Sequence, residues 1–119
     1  MSYIDDAKAR PTYLAVDDDE VIGALLETRH NEASAEIHLL LVAPGRHRHG
    51  VGRALVTAFE GDLRDAGVRL LEVKTQGPSM PDPDYAKTLK FYLALGFIPL
   101  EELHGLWPEN PCLILVKPL

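Results

Sequence analysis

The chain carries a formal net charge of −6, yet no acidic residue falls between Glu36 and Glu60. That stretch holds Arg46, Arg48 and Arg53 together with His38, His47 and His49. Its centre, Pro44-Gly45-Arg46-His47-Arg48-His49-Gly50-Val51-Gly52-Arg53, leads from an apolar run into a segment with helical spacing. The first turn of a helix leaves several N–H groups without backbone partners, and the helix dipole adds partial positive charge there. Phosphate binds such an end. Gly50 and Gly52 lack Cβ atoms, so an anion could approach the backbone, while Arg48, His49 and Arg53 could add charge. A solvated basic loop is the plain alternative.

Two familiar phosphate loops do not fit. A Walker loop needs Lys and then Ser or Thr after its second glycine, but Val51-Gly52 follows Gly50. A dinucleotide fingerprint needs a small residue where Gly50-x-Gly52 leads to Leu55. His47 and His49 alternate with arginines, whose charge opposes a cation, so no metal is expected. Cys112, in an apolar strand, is expected in the core rather than as a nucleophile.

The elements that must position this segment follow from periodicity. Thr12–Val16, Val21–Arg29 and Ala35–Val42 are predicted strands, with Asp17-Asp18-Asp19 and His30–Ser34 as turns. Short connections favour antiparallel pairing of the three. Gly23 suggests a bulge or a close approach. The continuous run Leu39-Leu40-Leu41-Val42 predicts burial on both faces. Val51, Ala54, Leu55, Ala58, Phe59 and Leu63 recur at helical spacing, and Gly67 closes that helix. Val68–Thr75 is the next strand, and the strand–helix–strand order implies a right-handed crossover and a parallel pair. After a proline-rich loop, Asp84 is the predicted N-cap of a second helix, with Tyr85, Leu89, Tyr92 and Leu93 on one face and Gly96 at its end. Phe97–Leu103 and Cys112–Lys117 are the last strands. The predicted order β-β-β-α-β-α-β-β is α/β, a mixed and mostly antiparallel sheet with helical cover.

The chain's 119 residues suit a single domain over 1–119, and 46% apolar content argues against general disorder. No apolar run approaches the ~20 residues of a membrane-spanning helix, and Met1 to Arg10 is polar and lacks the apolar middle of a signal peptide. One cysteine cannot form an internal disulfide, so a cytoplasmic location is expected. Net acidity disfavours nucleic acid as a partner.

Val42-x-Pro44 followed by His47-x-x-Gly50-x-Gly52 resembles the acetyl-CoA motif of the GNAT superfamily of N-acetyltransferases, with His47 in place of the usual Arg or Gln. Phe91-Tyr92-Leu93-Ala94-Leu95-Gly96-Phe97 resembles the family's second hallmark, Tyr, three residues, then Gly-Phe. Both motifs stand in the family's order. The resemblance implies an acyl-CoA N-acyltransferase-like fold with a splayed parallel pair, Ala35–Val42 beside Val68–Thr75. It implies that backbone N–H groups of His47, Arg48, His49, Gly50, Val51, Gly52 and Arg53 hold the pyrophosphate. Leu41 and Val42 would bond the pantetheine arm through their main chains. Tyr85 stands where the family commonly has Asn, and the family's N-terminal strand and two helices are expected to have no counterpart.

Acetyl transfer to an amine needs a base and benefits from a donor to the departing thiolate. By resemblance Tyr92 is that donor; a core aromatic is the alternative. Ala35-Glu36-Ile37 resembles the Ala-Glu-Ile of histone-acetylating relatives, which makes Glu36 the base, against a merely solvated strand residue. Glu72 and His38 are in reserve. The expected partners are acetyl-CoA, an amine acceptor and a second copy in a homodimer, without a membrane. A non-catalytic acyl-CoA-binding module and an unrelated phosphate-binding α/β domain are the competing readings.

Overall fold

A computed structural model describes residues 11–46, 50–79 and 82–119. In chain order the elements are β1 (Pro11–Asp17), β2 (Glu20–Arg29), β3 (Ser34–Val42), α1 (Val51–Asp65), β4 (Leu70–Gln76), α2 (Pro83–Ala94), β5 (Ile98–Leu103) and β6 (Cys112–Pro118). The six strands form one sheet in the order β1-β2-β3-β4-β6-β5. Every pairing is antiparallel except β3 with β4.

Local chemistry accounts for the connections. Asp17 pairs with Glu20, so the β1–β2 loop has two residues. Asp18 and Asp19 both take positive φ, which short aspartates tolerate and tight hairpins require. Both helices end in the same way. Gly67 N donates to Arg64 O and Val68 N to Leu63 O after α1; Gly96 N donates to Leu93 O and Phe97 N to Tyr92 O after α2. These are Schellman endings, with each glycine at positive φ. The second helix starts two residues earlier than Asp84 suggested. Asp82 is the cap, its side chain accepting from Asp84 N, and Pro83 occupies the first helical position, where a missing N–H costs nothing.

The core lies between one sheet face and both helices. Leu25, Ile37, Leu71 and Leu115 from four strands meet Leu55, Phe59 and Leu63 of α1 and Tyr92 of α2. Gly23 has the close approach its type suggested: a Cβ there would lie 2.8 Å from Val51 Cγ1. Expectations of burial fail in three elements. Ala54 and Ala58 of α1 are exposed. Tyr85 and Leu93 are exposed, so Leu89, Phe91, Tyr92 and Leu95 make the packed side of α2. Leu41 is also exposed, so the apolar end of β3 is not buried on both faces. Leu40 and Val42 pack against the core, whereas the other sheet face leaves Leu14, Val16 and Val21 more than half exposed.

The pairing of β3 with β4 is short. It runs from Ser34 opposite Leu70 to Ile37 opposite Val73, while the strands continue to Val42 and Gln76. Beyond that point β3 stays with β2 and β4 stays with β6. The parting has a local cause. Glu27 pairs with Ile37 and Leu26 with Leu39, which leaves His38 as an extra residue. A bulge bends its strand and increases the local twist, and this one sits at the first position after the last β3–β4 pair. The resulting V opens towards the start of α1. No described helix is long and apolar enough to cross a membrane.

Candidate active site

The start of α1 stands at the wide end of the V. Gly50 is its N-cap, at φ 75° and ψ 11°, a left-handed conformation that suits glycine. No side chain caps this end, and its first turn contains no acid. The first intrahelical bond runs from Ala54 N to Gly50 O, which leaves the N–H groups of Val51, Gly52 and Arg53 pointing out of the helix end. A Cβ on Gly50 would meet no atom of the described residues within 4 Å. These features fit a diphosphate. His47, Arg48 and His49 lie outside the described residues. Arg46 is committed elsewhere, its Nη1 2.7 Å from Asp17 Oδ2.

The second glycine has a different task from the first. Gly52 is buried, and a Cβ there would lie 3.1 Å from Phe91 Cζ and 3.7 Å from Val42 Cγ2. Its missing side chain makes room for an α2 ring rather than for a ligand. This contact brings the start of α1, the end of β3 and the middle of α2 together at one point. Val51 is buried beside it, and the Arg53 side chain is exposed.

Tyr92 is buried between Phe91 and Phe97, with ring centroids at 5.1 and 5.3 Å. Burial raises its pKa far above the ordinary tyrosine range, so the phenol keeps its proton at neutral pH. The Tyr-x-x-x-Gly-Phe spacing has a structural explanation of its own. Tyr92 and Phe97 are the two positions whose side chains touch across a Schellman ending, and Gly96 supplies its left-handed residue. A cavity of about 320 Å³ lies where β4 ends and α2 begins, lined by Gln76, Pro78, Tyr85 and Leu89 among others.

Glu36 lies one residue before the end of the β3–β4 pairing, directly opposite Glu72. It is 8% exposed and is not a solvated strand residue. Lys74 Nζ lies 3.0 Å from each Glu36 oxygen and 3.6 Å from Glu72 Oε1. His30 Nε2 lies 2.9 Å from Glu36 Oε1 and 3.0 Å from Glu72 Oε1. Two carboxylates placed side by side by strand register are thus bridged by an ammonium and by an imidazole. Burial works against the charge on Lys74, but its hydrogen bonds to Glu36 and the field of both glutamates outweigh that, and its pKa is raised. Cys112, fully buried nearby, has its thiol pKa pushed up by burial. His38, the bulge residue, is exposed and stands outside this group.

Sequence reasoning missed His30 and Lys74. Lys74 had a faint signal, because it shares a strand face with Glu72 two residues earlier. His30 had none, since a turn residue meets a strand 42 positions away only through the fold.

A sheet divided by a splayed parallel pair, with an uncapped helix end at the mouth of the opening, is the arrangement of an acyl-CoA-binding acyltransferase fold. The chain belongs to the acetyltransferase (GNAT) family, whose model matches residues 1–97. No curated protein sequence matches it. Among solved structures it resembles a GNAT-family protein from Desulfovibrio desulfuricans at 30% identity, with a TM-score of 0.78 over 88% of this chain and 65% of that one. A GNAT acetyltransferase from Elizabethkingia anophelis with acetyl-CoA bound shares the fold at 19% identity, with a TM-score of 0.77 over 89% and 74%. So does the ribosomal-protein-S18-alanine N-acetyltransferase of Escherichia coli, at 20% identity and a TM-score of 0.72 over 87% and 64%. The chain therefore spans slightly less than two thirds of the length of the Desulfovibrio and Escherichia coli proteins.

Proposed function

We propose that the chain is an N-acetyltransferase domain that moves the acetyl group of acetyl-CoA directly to a primary amine. The observation that carries this reading is the placing of an uncapped, acid-free helix start at the open end of the V. In this reading the N–H groups of His47 through Arg53 hold the pyrophosphate. The main chain of Leu41 and Val42 aligns the pantetheine arm along β3. From Val42 back to Glu36 the strand covers ~20 Å at ~3.3 Å per residue, a length comparable to an extended pantetheine arm. The thioester then lies near Glu36, at the closed end of the V.

Glu36 accepts a proton from the acceptor ammonium. The neutral nitrogen attacks the thioester carbonyl carbon, the C–N bond forms and the C–S bond breaks. Tyr92, still protonated, donates a hydrogen bond to the departing thiolate, which takes up the second proton that the nitrogen loses as the amide forms. Glu36 must exchange part of its Lys74 contact for the acceptor, which requires Lys74 to shift. A carboxylate already engaged by Lys74 also suits the competing reading, an acyl-CoA-binding module without turnover.

Calorimetric titration with acetyl-CoA and thiol-release assays over a set of amines separate these readings. The enzyme predicts micromolar-range binding, and turnover that falls at least tenfold in Tyr92→Phe and in Glu36→Gln with cofactor affinity unchanged. Binding without thiol release from any amine leaves the module. No binding removes both. We also propose a homodimer, supported by the exposed Leu14, Val16 and Val21 on neighbouring strands. A strict monomer by light scattering overturns that part.

A further inference from the structure

A cavity of about 450 Å³ opens on the sheet face opposite the helices, above the closed end of the V. Its polar floor is His30, Glu72 and Lys74, and its apolar walls are Leu70, Leu100 and Val116. We propose that this cavity is the acceptor subsite and that it takes a primary amine on an unbranched alkyl chain, with no carboxylate beside the amino group. The acceptor role rests on the acetyltransferase reading; the ligand class rests on the cavity itself.

The arrangement of carboxylates favours a cation. Glu36 and Glu72 stand side by side against a single lysine, Lys74, with His30 Nε2 within 3.0 Å of both. Lys74 also shows what fits between these carboxylates, for its own ammonium lies within 3.6 Å of both. A divalent metal fits less well, because Lys74 already holds both oxygens of Glu36 and repels a double charge more strongly than the single charge of an ammonium. Leu100 is 64% exposed and Leu70 37% exposed, so the walls are open to solvent and an alkyl chain lying on them would cover apolar surface. A carboxylate next to the amine would meet the carboxylates of Glu36 and Glu72, whose one lysine is already engaged by them. Glu36 is the direct cross-strand partner of Glu72, so an ammonium seated at Glu72 lies immediately beside the proposed base.

The test reads binding directly and needs no turnover. Methyl resonances of Leu70, Leu100 and Val116 are followed by NMR during titration with hexylamine, with 2-aminohexanoic acid and with hexan-1-ol, in the presence of CoA. The expected result is saturable shifts at these three residues with hexylamine, at least tenfold weaker with the amino acid and weaker again with the alcohol. Glu72→Gln lowers hexylamine affinity at least fivefold. Leu100→Trp, at an exposed position that folding tolerates, fills the cavity and does the same while leaving acetyl-CoA affinity unchanged. Shifts confined to other residues, or equal affinity for the three ligands, overturn the proposal. Hexylamine binding without acetyl-CoA binding would leave the amine site standing and remove the transferase reading. Acetyl-CoA binding with a silent cavity would do the reverse.

Discussion

The two helices begin in opposite ways. α2 starts with Asp82, whose carboxylate accepts from Asp84 N, followed by Pro83 and a second acid in the first turn. α1 starts with a left-handed glycine, no side-chain cap and no acid. A cap of the first kind is worth ~0.5–2 kcal/mol to a helix. The start of α1 forgoes that stabilisation, and its donors stay available to a ligand. What holds α1 in place lies further along it. Lys117 Nζ forms an ion pair with Glu60 Oε2 at 2.8 Å, and the Tyr13 hydroxyl donates to the Asp62 carboxylate. Phe59 and Leu63 are fully buried in the same stretch. α1 is thus packed along its length, while the donors of its first turn carry no side-chain cap.

Four substitutions would break or sharpen this contrast. The largest effect is expected from Gly52→Val, which drives a branched side chain into the Phe91 ring and Val42. Overpacking of this kind costs ~1–3 kcal/mol, readable by urea denaturation, and acetyl-CoA binding should fall with it because the helix start moves. Next is Arg53→Glu, at an exposed position in the first turn of α1. The new acid suits the helix dipole and should leave stability unchanged or raised by up to ~1 kcal/mol. Acetyl-CoA affinity should nevertheless drop at least tenfold by calorimetry. An unchanged affinity would mean that this end holds no diphosphate. Asp82→Ala removes the cap of α2 and should cost ~1 kcal/mol by thermal melting, with cofactor affinity kept within twofold.

The smallest effect concerns the anchor. Burial, and then the hydrogen bond to Asp62, push the Tyr13 phenol up to about 12. A free tyrosine titrates near ~10, so the folded state holds this proton more tightly than the unfolded chain does. The contribution is therefore complete below about pH 10 and is lost as pH rises towards about 12. Denaturation midpoints measured across that window should fall less steeply in Tyr13→Phe than in the parent chain.

Much of the architecture was legible in the residues. The order of all eight elements, the antiparallel trio and the parallel crossover agree with the fold. Period-two and helical spacings report which face of an element is apolar, and that is a local property. The same locality explains the failures. Leu39 to Val42 looked doubly buried because an apolar run does not say whether a second layer exists; Leu41 is exposed. Tyr85 and Leu93 matched the helical period but lie outside the strip that the sheet covers. The cap is Asp82 and not Asp84 because Pro83, a loop residue by composition, is also suited to the first position of a helix.

The site divides in the same manner. By itself the sequence determined the uncapped helix start, because a glycine, a basic stretch and the absence of acids are all adjacent in the chain. It also determined the Tyr92–Gly96–Phe97 ending, whose contacts span five residues. Only the tertiary structure decided that Gly52 serves Phe91, that β3 leaves β4 after Ile37, and that Glu36 meets Glu72, Lys74 and His30. Those contacts depend on the register of parallel strands joined through a helix. A chain's local spacings carry no record of which residues such a register will set side by side.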